Sequence, residues 1–180
     1  MITQIIEDTR QQAGKHKQVN NFFRSLGIKV IRDKLYVGDY TLPTDRRICI
    51  DVKQDIIEIA GNICGRTTNV AGQKVDNHAR FRDECMRAKE TGTQLYILIE
   101  QNESNGHSIT CPEDLVNWSP PVFRFGARKG QPRTFVKGEP LGKAMRTMEI
   151  KYGVVFLFCS PEETGQIILE LLEGGQHNEN

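Results

Sequence analysis

The chain has 180 residues, with 24 Lys and Arg against 23 Asp and Glu and a formal net charge of +1, so its overall field does not announce a nucleic-acid or membrane partner. Hydrophobic residues make up 38% and charged residues 26%, which suits one α/β-sized domain with a sizeable core and excludes collagen-like and disordered classes. Apolar runs such as Leu95 to Ile99 and Val154 to Cys159 fall far short of the roughly 20 residues that cross a bilayer, which excludes a transmembrane reading.

Glu7 and Asp8 stand where a signal peptide would continue its apolar core, so a cytoplasmic protein is expected. Cys49, Cys64, Cys85, Cys111 and Cys159 form no CxxC pair and read as free thiols rather than a zinc cluster. Ile2 to Glu7 is a short strand by pattern, and Lys15 to Leu26 a helix with Val19, Phe22, Phe23 and Leu26 on one face. Ile28 to Ile31, Leu35 to Leu42 and Arg47 to Lys53 then read as a β-meander with one hairpin, turning around Pro43 to Arg46. Gln54 to Cys64 has helical spacing and stops at Gly65; Arg66 to Val75, polar and Gly-containing, reads as a mobile loop.

Asp76 or Asn77 can cap a helix whose inner face is Phe81, Cys85 and Ala88, and the apolar run from Gln94 to Glu100 suits a strand buried on both faces. Gln101 to Lys137 holds most of the prolines and no sustained period, so it reads as a long insertion with one short helix at Pro112 to Asn117. Leu141 to Tyr152 is a helix and Val154 to Cys159 a buried strand. Ser160 to Glu163 is a capping box opening a last helix with Ile167, Ile168, Leu171 and Leu172 inward, and a polar tail starts near Gly174. The whole chain, 1–180, is expected to be one domain.

The hairpin carries the chemistry. Along Arg47 to Lys53 the side chains of Arg47, Cys49, Asp51 and Lys53 share one face, and Ile48, Ile50 and Val52 the other. A turn of odd length, such as Thr44 to Arg46, sets Asp39 opposite Asp51, with Cβ atoms about 5 Å apart. Two carboxylates that close repel unless a cation lies between them, and a divalent ion such as Mg²⁺ takes such oxygens. Lys53 beside that ion suits phosphodiester hydrolysis, in which a metal activates water and an ammonium stabilises transition-state charge. By pattern alone, a Gly-Asp turn beside a solvated strand face stays open as the alternative.

The run Leu35-Tyr-Val-Gly-Asp-Tyr40, with eleven residues between Asp39 and Asp51-Val-Lys53, resembles the GDx(n)ERK signature of the XPF-like nuclease domain, a branch of the PD-(D/E)xK nuclease superfamily. Ile5 to Arg10 is similar to that family's first strand, which ends in an acid followed by Arg, and Ile59-Ala-Gly-Asn62, Gly65-Arg66, Arg80-Phe81 and Leu98-Ile-Glu100 recur in the expected order. Met145 to Leu172 resembles the closing helix, strand and helix, so only Gln101 to Lys137 falls outside the likeness. The resemblance implies a three-layer α/β/α restriction-endonuclease-like fold with a mixed central sheet, Mg²⁺ or Mn²⁺ as cofactor, and cleavage of branched or single-strand/double-strand junction DNA.

It also implies Asp39, Asp51 and Lys53 as catalytic residues, with Asp39, Asp51 and the Val52 backbone carbonyl as metal ligands and Asp8 and Glu58 as further acidic members. Two positions depart from the pattern. Asp51 replaces the Glu of ERK, and the family's Asp four residues after the Lys falls on Ile57, leaving Glu58 or Asp55 to serve. A stand-alone domain of this size resembles a phage or prophage version, and a homodimer is left open.

Among the remaining residues, Glu7 is the near competitor of Asp8, and Glu100 ends a buried strand where open α/β sheets place functional groups. His78 reads as a capping or packing histidine and Trp118 as an insertion anchor. Arg66 and Lys74, on a loop expected to flank the metal site, and Arg80 are read as DNA-binding residues for phosphate contact, with solvated surface as the alternative. From Ser119 to Arg146 there are seven bases against one acid; Arg124, Arg128, Lys129 and Arg133, interleaved with Phe, form either a single-strand-binding surface or a hairpin with solvated bases. The function expected is a metal-dependent DNA endonuclease without an organic cofactor; the alternative is a catalytically inactive nucleic-acid-binding module of the same fold. A small-molecule-binding protein is disfavoured by the lack of a GxGxxG or Walker loop.

Overall fold

The structure, a computed structural model, describes residues 1–10, 12, 14–68, 74–101, 109–120 and 136–174, without the side chains of residues 66–68, 74 and 75. Strand β1 (Gln4–Asp8) leads to α1 (Lys17–Ser25), β2 (Lys29–Asp33), the two-residue β3 (Tyr40–Thr41) and β4 (Ile48–Lys53). Then follow α2 (Ile56–Cys64), β5 (Arg66–Thr68), β6 (Lys74–Asp76), α3 (Asn77–Glu90), β7 (Gln94–Glu100) and a 3-10 turn at Pro112–Asn117. The chain closes with α4 (Gly138–Tyr152), β8 (Val155–Cys159) and α5 (Thr164–Gly174). Among the described residues, no helix is long and apolar enough to cross a membrane.

Six strands form one sheet in the order β2-β1-β3-β4-β7-β8, in which β3 alone runs against its neighbours. On one face Cys49, Ile97 and Ile99 pack with Ile59, Ile63, Phe81, Cys85 and Met145 from α2, α3 and α4. On the other, Ile5, Ile50, Val52 and Leu98 pack with Val19 and Phe23 of α1 and Ile168 and Leu172 of α5. These are the three α/β/α layers expected. Covered on both faces, β4 and β7 are mostly apolar, and the buried Asp51 and Lys53 are therefore costly exceptions.

The expected meander does not form. β2 pairs in parallel with β1 at the sheet edge, Ile5 opposite Val30, and β1 separates it from β3. Only Tyr40–Thr41 of the expected strand Leu35 to Leu42 is laddered, because Leu35 to Gly38 must bend from the edge of the sheet back to its centre. Two further differences are local. Arg66 to Val75 is not a bare loop: β5 and β6 pair antiparallel, Arg66 opposite Asp76, around residues 69–73, which lie outside the described residues. Leu26 is 53% exposed: it is the C-cap beyond the last turn of α1, where the chain leaves the helix through Gly27 at φ +75°.

Helix starts follow the sequence signals. Asp55 accepts the Glu58 N–H at 2.6 Å to cap α2, Asp76 accepts the Ala79 N–H at 3.2 Å to cap α3, and Glu163 accepts both the N–H and the hydroxyl of Ser160 before α5. Trp118 packs against the core beside α4, as an anchor for the insertion. Gly142 lets the 3-10 turn dock there, since a Cβ would stand 2.3 Å from the Pro112 carbonyl oxygen.

Candidate active site

Five of the six strands run one way, so the carboxyl ends of β1, β4 and β7 gather at one end of the sheet, where open α/β sheets hold their ligands. Asp8 ends β1, Asp51 and Lys53 end β4, and the reversed β3 delivers Asp39 to the same end from its own start. Tyr40 pairs with Ile50, which brings Asp39 to the end of β4 where Asp51 lies. The Asp39 N–H donates to the Ile50 carbonyl at 2.7 Å and its carbonyl accepts the Asp8 N–H at 2.8 Å, so the backbone there is tied to both flanking strands. Gly38 enables the approach: its φ is +69°, and a Cβ would lie 3.1 Å from the Ile50 oxygen.

The result is a buried charge cluster. Asp39 and Asp51 are each 2% exposed and Lys53 8%, which removes the alternative of a solvated strand face. Lys53 Nζ lies 2.8 Å from Asp51 Oδ1 and 2.7 Å from Oδ2, and 5.7 Å from the centre of the Phe81 ring. Asp39 Oδ2 accepts the Val52 N–H at 3.0 Å. Because the N–H and C=O of a strand residue point the same way, the Val52 carbonyl also faces the Asp39 side. Burial, and then repulsion from Asp51, hold the Asp39 carboxyl well above the usual carboxylate range. Burial opposes the charge on Lys53, but Asp51 and Asp39 more than offset it and raise the ammonium above its ordinary value.

These residues open into a polar cleft of about 520 Å³ that also takes in Asp8, Glu58, Arg80 and Glu84. Asp8 lies on the cleft side of β1, its Oδ1 accepting the Leu35 N–H at 3.1 Å and its Oδ2 the Arg10 Nε–H at 2.6 Å. Glu7, its competitor, is buried away from the cleft, where it accepts from Asn20 at 3.0 Å. Glu58 lines the cleft, bonded to Lys15 Nζ at 3.2 Å and the Gln54 N–H at 2.9 Å, whereas Asp55 is occupied as the cap of α2. Glu100 does not reach the cleft and accepts the Thr164 hydroxyl at 2.7 Å. His78 packs by its Nδ1 on the Ile63 carbonyl at 2.7 Å.

Arg66 and Lys74 sit on β5 and β6, and their side chains are not among those described. Arg124, Arg128, Lys129 and Arg133 lie wholly outside the described residues, as does the polar tail from residue 175. Sequence reasoning missed Glu84, which accepts the Gly38 N–H at 3.0 Å and whose carboxyl is raised by burial and by Asp51. It also missed Arg87, another cleft residue. The available signal was the helical stripe Arg80, Glu84, Arg87, at i, i+4 and i+7, next to the apolar face of α3.

The donor set fits a hard divalent cation. It offers oxygen ligands, two buried carboxylates against one ammonium, and a buried Asp51 Oδ2 without a hydrogen bond in good geometry. Among the described residues no three His, Cys, Asp or Glu side chains converge on one point. An ion here would therefore complete its shell with a backbone carbonyl, water and phosphate oxygens, as Mg²⁺ commonly does.

The raised Asp39 carboxyl has a consequence for stability. A carboxyl whose folded pKa lies above its unfolded value destabilises the fold as pH rises through the window between the two, because the native state holds the extra proton there. Asp39→Asn, measured with a chelator, is expected to melt higher than wild type at neutral pH by about 2–4 °C, the equivalent of about 1 kcal/mol for a domain of this size. The difference should shrink as pH falls toward the ordinary carboxylate range. A pH-independent difference would show that Asp39–Asp51 repulsion does not destabilise the fold.

Fold and site together define an α/β/α domain with a lysine-bearing acidic cleft at the carboxyl end of its sheet. The sequence model of the ERCC4 domain matches residues 8–171, and the chain belongs to that family. Among solved structures it is similar to XPF from Aeropyrum pernix, with a TM-score of 0.57 and 19% identity over 97% of this chain and 66% of that one. It is also similar to XPF from Aeropyrum pernix in complex with DNA, with a TM-score of 0.58 and 19% identity over 97% of this chain and 65% of that one. The chain thus spans just under two thirds of those proteins' length. No curated protein sequence matches it.

Proposed function

We propose that the chain is a metal-dependent endonuclease that hydrolyses DNA phosphodiester bonds at branched or single-strand/double-strand junctions. The observation that carries this reading is the buried Asp39–Asp51–Lys53 cluster opening into a polar cleft; membership of the ERCC4 domain family and the likeness to an XPF solved with DNA support it. Asp39, Asp51 and the Val52 carbonyl would hold Mg²⁺ or Mn²⁺, with Asp8 and Glu58 as outer acidic groups. The bound ion would polarise the phosphoryl oxygen and lower the pKa of an attacking water. Lys53, fixed within bonding distance of Asp51 and against Phe81, orients that water and stabilises negative charge developing on the phosphorus oxygens. Arg80 and Arg87, on the cleft wall, neutralise flanking phosphates.

End-labelled splayed-arm, flap and plain duplex DNA, incubated with Mg²⁺, Mn²⁺ or a chelator, test the reading. Metal-dependent cuts near the junction, abolished by the chelator, are expected; no cleavage of any DNA would overturn it. The basic insertion is proposed to bind the DNA backbone. Replacing Arg124, Arg128, Lys129 and Arg133 by Gln should flatten the slope of log K against log salt by about 0.7–0.9 for each phosphate no longer neutralised. Binding should weaken alike across sequences. An unchanged slope in the folded variant would place those side chains in solvent.

A further inference from the structure

His16, the N-cap residue of α1, is not accounted for by the fold. It is 5% exposed, and neither ring nitrogen has a hydrogen-bond partner among the described residues. Its side chain does not cap the helix. Nε2 stands 3.9 Å from Asp39 Oδ2, beyond hydrogen-bond reach, and the ring packs on Tyr40 with centroids 5.5 Å apart. Tyr40 is itself fixed, its hydroxyl donating to Asn20 Oδ1 at 3.0 Å while the Asn20 amide donates to Glu7 at 3.0 Å. A neutral imidazole carries one N–H donor, which a carboxylate oxygen can accept. An apolar side chain there would avoid the desolvation of two unpaired nitrogens, so packing alone does not explain a histidine.

We propose that His16 is a positioning residue for Asp39, its Nε2–H closing onto Oδ2 when a divalent cation is bound and fixing the carboxylate's aim at the ion. The inference rests on the reading of Asp39 and Asp51 as metal ligands. Oδ2 takes the Val52 N–H from one side, and a carboxylate oxygen accepts a second donor. The movement required is about 1 Å, the gap between the present separation and an ordinary N–H···O bond, and sliding over the fixed Tyr40 ring keeps the packing. Such outer hydrogen bonds set the orientation and basicity of metal ligands.

The test is direct Mn²⁺ binding to the full chain without DNA, read from the paramagnetic resonance of free Mn²⁺, with thermal unfolding in chelator as the second readout. His16→Leu is expected to bind Mn²⁺ about 10–100-fold more weakly than wild type, while melting no lower. His16→Gln, whose amide N–H reaches the place of Nε2, should restore most of the affinity. His16→Asn, polar but too short, should not, and stands in if the Leu variant does not fold. His16→Leu or His16→Asn binding Mn²⁺ as tightly as wild type overturns the positioning role and leaves the metal reading standing. Parallel loss of affinity and melting temperature in every variant, Gln included, also overturns it by assigning a purely structural role. If wild type binds no Mn²⁺, or Asp51→Asn binds it equally, the metal reading itself fails and takes this inference with it.

Discussion

Asp51→Asn is expected to lower the single-turnover rate of Mn²⁺-dependent DNA cleavage by more than about 100-fold, since even outer partners of metal ligands are worth about 10–100-fold. Circular dichroism and DNA affinity should stay near wild type. Asp51 lies at the centre of the sheet rather than on an open strand face, so survival of the fold has to be argued from charge. The amide is isosteric, and it leaves Lys53 with Asp39 as a counter-charge where two carboxylates had competed for one ammonium. The protein therefore loses a repulsion together with an ion pair. Cleavage within a factor of about ten of wild type would sink the metal site as assigned, because the loss of a direct ligand must exceed that of an outer partner.

Lys53→Ala should act on the chemical step more than on metal binding. A positioned cationic or hydrogen-bonding group at the site of developing charge is worth about 10²–10³ in rate, and the single-turnover rate at saturating Mn²⁺ should fall by that order. The same substitution strips two buried carboxylates of their ammonium, and breaking a buried pair costs about 3–5 kcal/mol. The variant should thus melt well below wild type in chelator and recover on addition of Mn²⁺, which supplies the missing positive charge. If saturating metal restores the wild-type rate as well as the stability, Lys53 only organises the carboxylates.

The hairpin was legible because its signals are local. A period of two along Arg47 to Lys53, an odd-length turn and a Gly before Asp39 agree with the Tyr40–Ile50 pairing, which carries Asp39 to the end of β4 where Asp51 lies. Helix caps at Asp55 and Asp76 and the apolar faces of α2 and α3 were legible for the same reason. What failed was non-local. Nothing in Lys29–Asp33 says that it pairs in parallel with β1 after a helical crossover rather than with its sequence neighbour, since partner choice is a long-range property that a five-residue pattern does not encode. The β5–β6 ribbon has no apolar alternation by which to announce itself. Glu84 was hidden on a helix read only for its core face, although the Gly38 N–H it accepts lies 46 residues away in sequence. His16 was passed over because a burial that leaves both nitrogens unpaired is a property of the packed structure alone.

The burial of Asp39 and Asp51 was legible only in part: the shared strand face could be read, but not that α2 and α3 cover it. That covering gives the site its electrostatic character, since the same two carboxylates in water would tolerate each other at little cost. It also ties function to a stability cost, which the melting of Asp39→Asn measures.

Whether Asp39 and Asp51 hold a divalent cation between them is tested most directly by the anomalous diffraction of a crystal soaked in Mn²⁺. A single strong peak is expected within ordinary Mn²⁺–oxygen bonding distance, about 2.0–2.3 Å, of one oxygen from each carboxylate and of the Val52 carbonyl, absent from a crystal of Asp51→Asn. A peak held elsewhere in the cleft, or none while Lys53 stays bonded to Asp51, would contradict that arrangement.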